Sequence, residues 1–592
     1  MMFPEMLTIE AVRHAYAKGA TPLDLAEEII ARRHAASDPA IFITPVADDD
    51  LRAAARDVMA GPSDLPLWGI PYVAKDNIDV AGLPTTAGCP AYAYDPAQDA
   101  AVIARLRAAG ALCIGKTNLD QFATGLNGTR SPHGAPRSVF DADYVSGGSS
   151  SGSAVAVASG LATFGLGTDT AGSGRVPAAF NNLVGIKPTP GLVPNTGVVP
   201  ACRSVDVVTV FAGCVGDGIA VRAVMDGVDA GDGFTRPAQP VGIRPKPRIG
   251  VLAGAEREFY GNAAYVALYD AAIVRAESLG ATIVPFDYAP FREAAALLYD
   301  GPWVAERLAA VEDFYATNAT DFDPTVGGII GAAGRYSAVD AFNGRYRLEE
   351  LRAQVAPVWD QVDLLLLPTS PTIYKVADML ADPVTKNSHF GRYTNFANLL
   401  GYAAIAVPAG ITPDGLPGGV TLIGPAFSDD GLAPFADAMH QAAGCGMGRD
   451  TSAAIPALDA TTVPKGMIAL AVVGAHLTGM PLNHQLTDAG GRLIAETTTE
   501  ARYRLYALDG TVPPKPGLIR DPDGAAIKVE IWALPDAGFG RFVTAIPAPL
   551  GIGKLILADG STVSGFLCEP HAITNAKDIT DFGGWRAYCA SL

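Results

Sequence analysis

Two serines and one lysine hold the chemistry to be asked of this sequence. Ser173 lies in the run Asp169-Thr170-Ala171-Gly172-Ser173-Gly174-Arg175-Val176-Pro177. Ser149 lies earlier, in Gly147-Gly148-Ser149-Ser150-Ser151-Gly152-Ser153, and Lys75 earlier still, in Ala74-Lys75-Asp76-Asn77. Two serines and a lysine can make a nucleophile without any histidine. A serine hydroxyl attacks poorly until a base takes its proton. Lysine serves as that base only when its ammonium is disfavoured, which burial achieves by up to ~3–5 pKa units. The small residues around Ser173 leave room for a carbonyl to reach both the hydroxyl and nearby main-chain N–H groups.

The elements that must position these residues alternate between strand and helix. Residues 7–60 read as helical, with Leu23, Ala26, Ile29 and Ile30 at three- and four-residue spacing. Residues 66–80 read as strand and turn, 101–109 as helix, 111–115 as strand, and a helical stretch is expected from Asn118. The Gly/Ser loop 147–152 feeds a small-residue helix over 153–161. Strands follow at 281–284, 363–368, 405–407 and 419–423, and helices at 262–279 and 291–308, the latter broken by Asp300-Gly301-Pro302. This alternation predicts an α/β layered core with helices on both faces. A Gly-, Ala-, Thr- and Pro-rich stretch over 444–465 reads as a linker. The expected division is therefore a first domain over 1–443 and a smaller α/β domain over 466–592.

Composition narrows the function classes. The chain has 592 residues, 49% hydrophobic and 18% charged, with a formal net charge of -18. That fits a globular protein and disfavours a nucleic-acid partner, because no basic block occurs. Seven scattered cysteines without a CxxC pair speak against a disulfide framework or a structural zinc site. The start Met1-Met2-Phe3-Pro4-Glu5 lacks signal-peptide features, and no apolar run approaches a membrane span. The expectation is a soluble cytoplasmic protein without metal or organic cofactor.

Two competing chemistries are available. A Walker-type phosphate loop needs Gly-Lys-Ser/Thr at its end, and none follows Gly147. A Ser–His–Asp triad has histidines to draw on, but no serine sits in a convincing G-x-S-x-G elbow, and His133 is the one histidine worth testing.

The set resembles the amidase signature family. The matching pieces are Lys75-Asp76-Asn77 with Gly82-Leu83-Pro84-Thr85-Thr86-Ala87-Gly88, the 147–153 loop, Asp169 to Pro177, and Gly185-Ile186-Lys187-Pro188-Thr189, in the family's order over roughly the first 440 residues. The resemblance implies a mixed β-sheet core flanked by helices. It makes Ser173 the nucleophile, Lys75 the ultimate base and Ser149 the bridge between them. The N–H groups of Thr170, Ala171, Gly172 and Ser173 would cradle the oxyanion. Asp76 is expected to turn away from Lys75, since neighbours in an extended segment point to opposite faces. Ala171 and Gly174 depart from the family's usual Gly and Ile, and in that departure the motif resembles the allophanate hydrolase branch.

That branch implies the substrate allophanate, a carboxylated urea that needs a fixed cation. Tyr299-Asp300-Gly301-Pro302-Trp303-Val304-Ala305-Glu306-Arg307 resembles its substrate-binding stretch, with Tyr299 and Arg307 at the carboxylate end. His389 to Phe396, followed by Asn398-Leu399-Leu400-Gly401, also looks like that branch. The segment after the linker resembles γ-glutamylcyclotransferase-like domains through Val473-Gly474-Ala475-His476-Leu477-Thr478-Gly479, although Val473 replaces their usual tyrosine. Lys528-Val529-Glu530-Ile531-Trp532 matches their strand with an acidic residue, so Glu530 and His476 are the residues expected to act there, assisting decarboxylation. The resemblance further implies a homodimer and association with urea- or cyanurate-degrading enzymes. An amidase for another small amide, an amidase-like component of a complex, and a structural second domain stay open at this point.

Overall fold

The structure, a computed structural model, describes residues 3–459 and 461–592. The chain divides into two compact units, Met1–Pro237 with Lys246–Leu458, and Ala238–Pro245 with Asp459–Leu592. Among the described residues, no helix is long and apolar enough to cross a membrane.

The first unit is built on an eleven-stranded mixed sheet flanked by helices. The strands run in the spatial order Phe42–Pro45, Leu112–Thr117, Pro71–Lys75, Phe164–Asp169, Val207–Ala212, Val184–Lys187, Ala403–Ile411, Pro417–Gly424, Leu364–Pro368, Arg248–Leu252 and Thr282–Phe286. Strand Pro71–Lys75 lies parallel to Phe164–Asp169, with Tyr72 opposite Phe164 and Ala74 opposite Leu166. Their C-terminal ends therefore emerge side by side, the place where open α/β sheets present ligand-binding residues. The helix Ser151–Ala158 packs beside these two strands and is buried on every side. Its sequence is Ser, Gly, Ala and Val throughout, and the close fit demands it: a Cβ on Gly152 would come within 2.4 Å of the Ile41 carbonyl and 2.6 Å of Asn118 N.

Three expectations change. The stretch 7–60 is not helical throughout, since Phe42–Pro45 forms an edge strand of the large sheet, paired with Leu112–Thr117, between the helices Pro22–Ala35 and Asp48–Ala60. No α-helix starts at Asn118; only a short 3-10 turn, Gln121–Ala123, forms. Side chains there take the N–H groups a helix would use. Asn118 Oδ1 accepts from Leu119 N at 2.8 Å, and the Asp120 carboxylate accepts from Asn127, Gly128 and Arg130 N. The stretch read as linker also divides, since residues 444–458 belong to the first unit. Gly448 N donates to Asn182 O and Arg449 N to Ala158 O, while Met447 packs with Met6 and Cys214.

The second unit holds a five-stranded sheet in the order Arg492–Thr498, Lys528–Pro535, Met467–Val472, Thr562–Cys568 and Leu550–Ile556. A three-stranded sheet, Pro516–Arg520, Tyr503–Ala507 and Lys577–Asp578, accompanies it. Leu470, Val472, Trp532, Leu534, Phe542 and Phe566 lie in its core.

Candidate active site

Lys75 ends its strand wholly buried, and its Nζ lies 2.7 Å from both Ser149 Oγ and Thr168 Oγ1. Thr168 occupies the adjoining end of the parallel strand, so the sheet register itself sets this pair. Burial brings the Lys75 ammonium down to about 7, while Asp120, Asp206 and Asp169 pull the other way. Asp76 faces elsewhere: it pairs with Lys116 at 3.1 Å and accepts from the Thr86 N–H at 2.9 Å and the Thr86 hydroxyl.

Ser149 is fully buried just before the small-residue helix, and Asp120 N donates to its carbonyl. Ser173, 2% exposed, follows the strand Phe164–Asp169 by a tight loop. Its hydroxyl donates to Gly125 O at 3.4 Å and makes no hydrogen bond to Ser149 among the described residues. The structure thus joins Lys75 to Ser149 and places Ser173 against the 124–130 turn. The N–H groups of Thr170, Ala171, Gly172 and Ser173 have no acceptor among the described residues. Gly172 has to be glycine, because a Cβ there would stand 2.5 Å from Thr394 Oγ1.

Behind this loop sits a buried ion pair. Arg175 donates through Nε and Nη2 to the two carboxylate oxygens of Asp169, each at 2.9 Å. Burial works against the Asp169 charge, but Arg175 outweighs it and holds the carboxyl below its usual range. Asp206 accepts from the Thr170 hydroxyl at 2.5 Å and from Ala201 and Cys202 N, and burial raises it to about 6.

Arg307, 2% exposed, donates through Nη1 to Thr124 Oγ1 at 3.1 Å, next in sequence to the Gly125 carbonyl that Ser173 touches. Its Cζ lies 4.8 Å from the centre of the Tyr299 ring. Its Nε and Nη2 are buried and have no hydrogen-bond partner among the described residues. The break at Asp300-Gly301-Pro302 ends the helix Ala289–Asp300 and starts Trp303–Ala309, so Tyr299 and Arg307 project from two successive helices. Phe122 and Ala123, which lead into Thr124, both adopt left-handed backbone angles, and Phe122 stacks on Phe322 with ring centres 4.7 Å apart. Such strain persists only where surrounding packing imposes it.

Sequence reasoning missed Thr168, Thr124 and Gly125, Asp206, and the asparagines 395 and 398. Thr168 directly precedes a residue of the quoted motif, and both asparagines lie in the 389–401 stretch, but no local pattern marks what they touch. His133, the alternative base, has a buried Nε2 without a partner and makes no hydrogen bond to either serine among the described residues.

In the second unit, His476 lines a cavity of about 240 Å³ with Gly474, Gln485, Lys515, Phe542 and Phe566. Its Nε2 meets Gln485 Oε1 at 2.9 Å, and its ring stacks on Phe566. Burial lowers its pKa, and Lys515 and His484 lower it further. Glu530 is not with it. Glu530 lines a different cavity, with Lys528, Trp585 and Arg586, and it accepts from Thr478 N and Oγ1, Trp532 Nε1 and Arg586 Nη2.

Residues 24–432 match the family model described as Amidase. This chain belongs to the amidase family. Residues 468–590 match the model for the allophanate hydrolase C-terminal domain. Urea amidolyase from Lachancea kluyveri is 44% identical over 547 residues, covering 89% of this chain and 30% of that relative. Urea amidolyase from Saccharomyces cerevisiae is 43% identical over 549 residues, with the same coverage of 89% and 30%. The solved structure of Kluyveromyces lactis allophanate hydrolase superposes with a TM-score of 0.89 at 39% identity, covering all of both chains. This chain thus spans about 30% of the length of the curated urea amidolyases it matches.

Proposed function

We propose that this chain is an amidohydrolase that releases ammonia from allophanate. One observation carries the substrate. Arg307 is a buried cation with Nε and Nη2 unpartnered, held by Thr124 beside the residue that Ser173 touches. Nε and Nη2 form one edge of the guanidinium, and a carboxylate takes such an edge with both oxygens. Allophanate carries a carboxylate at one end and an amide at the other, which suits Arg307 at one side of the site and Ser173 at the other. The resemblance to the K. lactis enzyme supports the same reading.

Neutral Lys75 takes the Ser149 proton while Ser149 takes that of Ser173, once the Ser173 hydroxyl turns from Gly125 to Ser149. Ser173 Oγ then attacks the amide carbonyl, and the negative charge on its oxygen faces the free N–H groups of residues 170–173. Returned protons let ammonia leave. Water then cleaves the acyl-enzyme through the same base and frees N-carboxycarbamate. Tyr299 backs the guanidinium and keeps its edge directed at the carboxylate.

In the second unit, His476 delivers a proton to the nitrogen of N-carboxycarbamate as a C–N bond breaks, giving carbamate and carbon dioxide. Its neutral resting state is pulled toward protonation by a bound dianion, and Lys515, a cationic side chain lining that cavity, complements the ligand. Glu530 holds Thr478, and with it the loop that presents His476.

Exposed Val339, Phe342 and Tyr346 on one face of the helix Ala338–Val355 support pairing with a second copy. Seven free cysteines support a reducing, cytoplasmic setting. The name urea amidolyase supports work beside urea-degrading enzymes. The test is ammonia release from allophanate by the purified chain. Steady release is expected, and none at all would overturn the reading.

A further inference from the structure

We infer that Asn398 is a positioning residue of the oxyanion site, an inference that rests on the amidohydrolase reading above. In a trans peptide the C=O and the following N–H point in opposite directions. Whatever fixes a carbonyl therefore aims the next N–H the other way. Three carbonyls of the 169–173 loop are fixed on the protein side. Asn398 Nδ2 donates to Asp169 O at 2.7 Å. Arg175 Nη2 donates to Ala171 O at 3.2 Å. Arg175 N and Val176 N donate to Gly172 O at 2.9 and 2.8 Å. The N–H groups of Thr170, Gly172 and Ser173 are the ones so directed, and all three lack an acceptor among the described residues.

Asn398 acts on this array twice. The same Nδ2 reaches Val205 O at 2.9 Å, which ties the loop to the segment just before Asp206. Its Oδ1 accepts from Arg175 Nη2 at 3.3 Å, steadying the guanidinium that holds Ala171 O. Both amide hydrogens and the oxygen are thus engaged, and the residue is 2% exposed. Asn395 adds to the Ala171 anchor: with its amide nitrogen turned inward, it donates to Ala171 O at 3.2 Å and Gly391 O at 3.3 Å. Asn398 touches neither Arg307 nor Lys75, so its effect falls on transition-state charge rather than on carboxylate binding or on the base.

The chemistry predicts a particular split. Misaligned oxyanion donors weaken the transition state and leave ground-state binding alone. Asn398→Ala should lower kcat for ammonia release about 30-fold and leave KM within about twofold. Its affinity for a boronic acid that forms a tetrahedral adduct on Ser173 should fall by a similar factor, and the acid limb of the pH profile should stay in place. Asn395→Ala, at the half-buried edge, should show the same pattern at about fivefold and serves if Asn398→Ala does not fold. A folded Asn398→Ala with unchanged kcat and boronate affinity overturns the inference. So does a loss shared equally by KM. The boronate measurement needs no turnover of allophanate, so failure of the substrate reading leaves this test standing. Boronate affinity unchanged in Ser173→Ala would instead sink the nucleophile assignment.

Discussion

Arg307 in the first unit and Glu530 in the second are both charged side chains taken almost wholly out of water, and they are provisioned in opposite ways. Glu530 accepts from four donors, including Arg586, and has its charge answered within the protein. Arg307 spends one N–H on Thr124, rests against Tyr299, and leaves Nε and Nη2 with nothing to bind among the described residues. A buried polar group left unpartnered costs about 1–3 kcal/mol, more when charged. The difference teaches that burial and charge alone do not single out Arg307; an entire guanidinium edge left unmet, next to the turn that Ser173 contacts, does.

Four outcomes test that contrast, from the largest effect down. Ser173→Ala should reduce ammonia release by at least about 10⁴-fold, because the nucleophile and its acyl-enzyme are lost together; circular dichroism should show the same fold. Arg307→Ala should raise KM for allophanate about 100-fold while leaving turnover of biuret, which has an amide in place of the carboxylate, nearly unchanged. Equal losses on both substrates would show that Arg307 is structural, the role proposed for Glu530. Third, kcat/KM should fall about tenfold for each pH unit below about 7. The sign follows from the role: the base must be unprotonated, and Lys75 gains its proton as pH drops through about 7. Smallest in its effect on ammonia release is the pair in the second unit. His476→Ala should slow carbon dioxide release about 100-fold with ammonia release untouched. Glu530→Gln should lower the unfolding stability of that unit by about 2 kcal/mol and slow carbon dioxide release only as far as the loop at Thr478 loosens. A decarboxylation loss in Glu530→Gln as large as in His476→Ala would erase the distinction drawn between them.

Much of the site was legible because its parts sit in short contiguous runs. The Gly/Ser loop and the Asp169 to Pro177 run each hold their candidate serine among small residues, and small residues are a local requirement of close packing, as Gly152 and Gly172 show. The strand and helix alternation was legible for the same reason. The stretch after Asn118 was not, since Asn118 and Asp120 turn their side chains onto the backbone and a periodicity argument does not register that competition. The 444–458 segment misled in another way: its composition is that of a linker, yet distant Asn182 and Ala158 supply the hydrogen bonds that hold it.

Sequence alone therefore supplied the candidates: two serines, a lysine, an arginine after a helix break, and a second domain with a histidine on a glycine loop. Tertiary structure decided their states. Burial at a strand end, rather than anything near Lys75 in the chain, brings its pKa down to about 7. Separation into two cavities, invisible in the spacing of 476 and 530, parts His476 from Glu530. The carbonyls of the 169–173 loop are fixed by an asparagine more than two hundred residues further along the chain. Residue type sets what a group can do; only its surroundings set its charge, its free hydrogen-bonding capacity and its direction, because those depend on distances that the linear order does not encode.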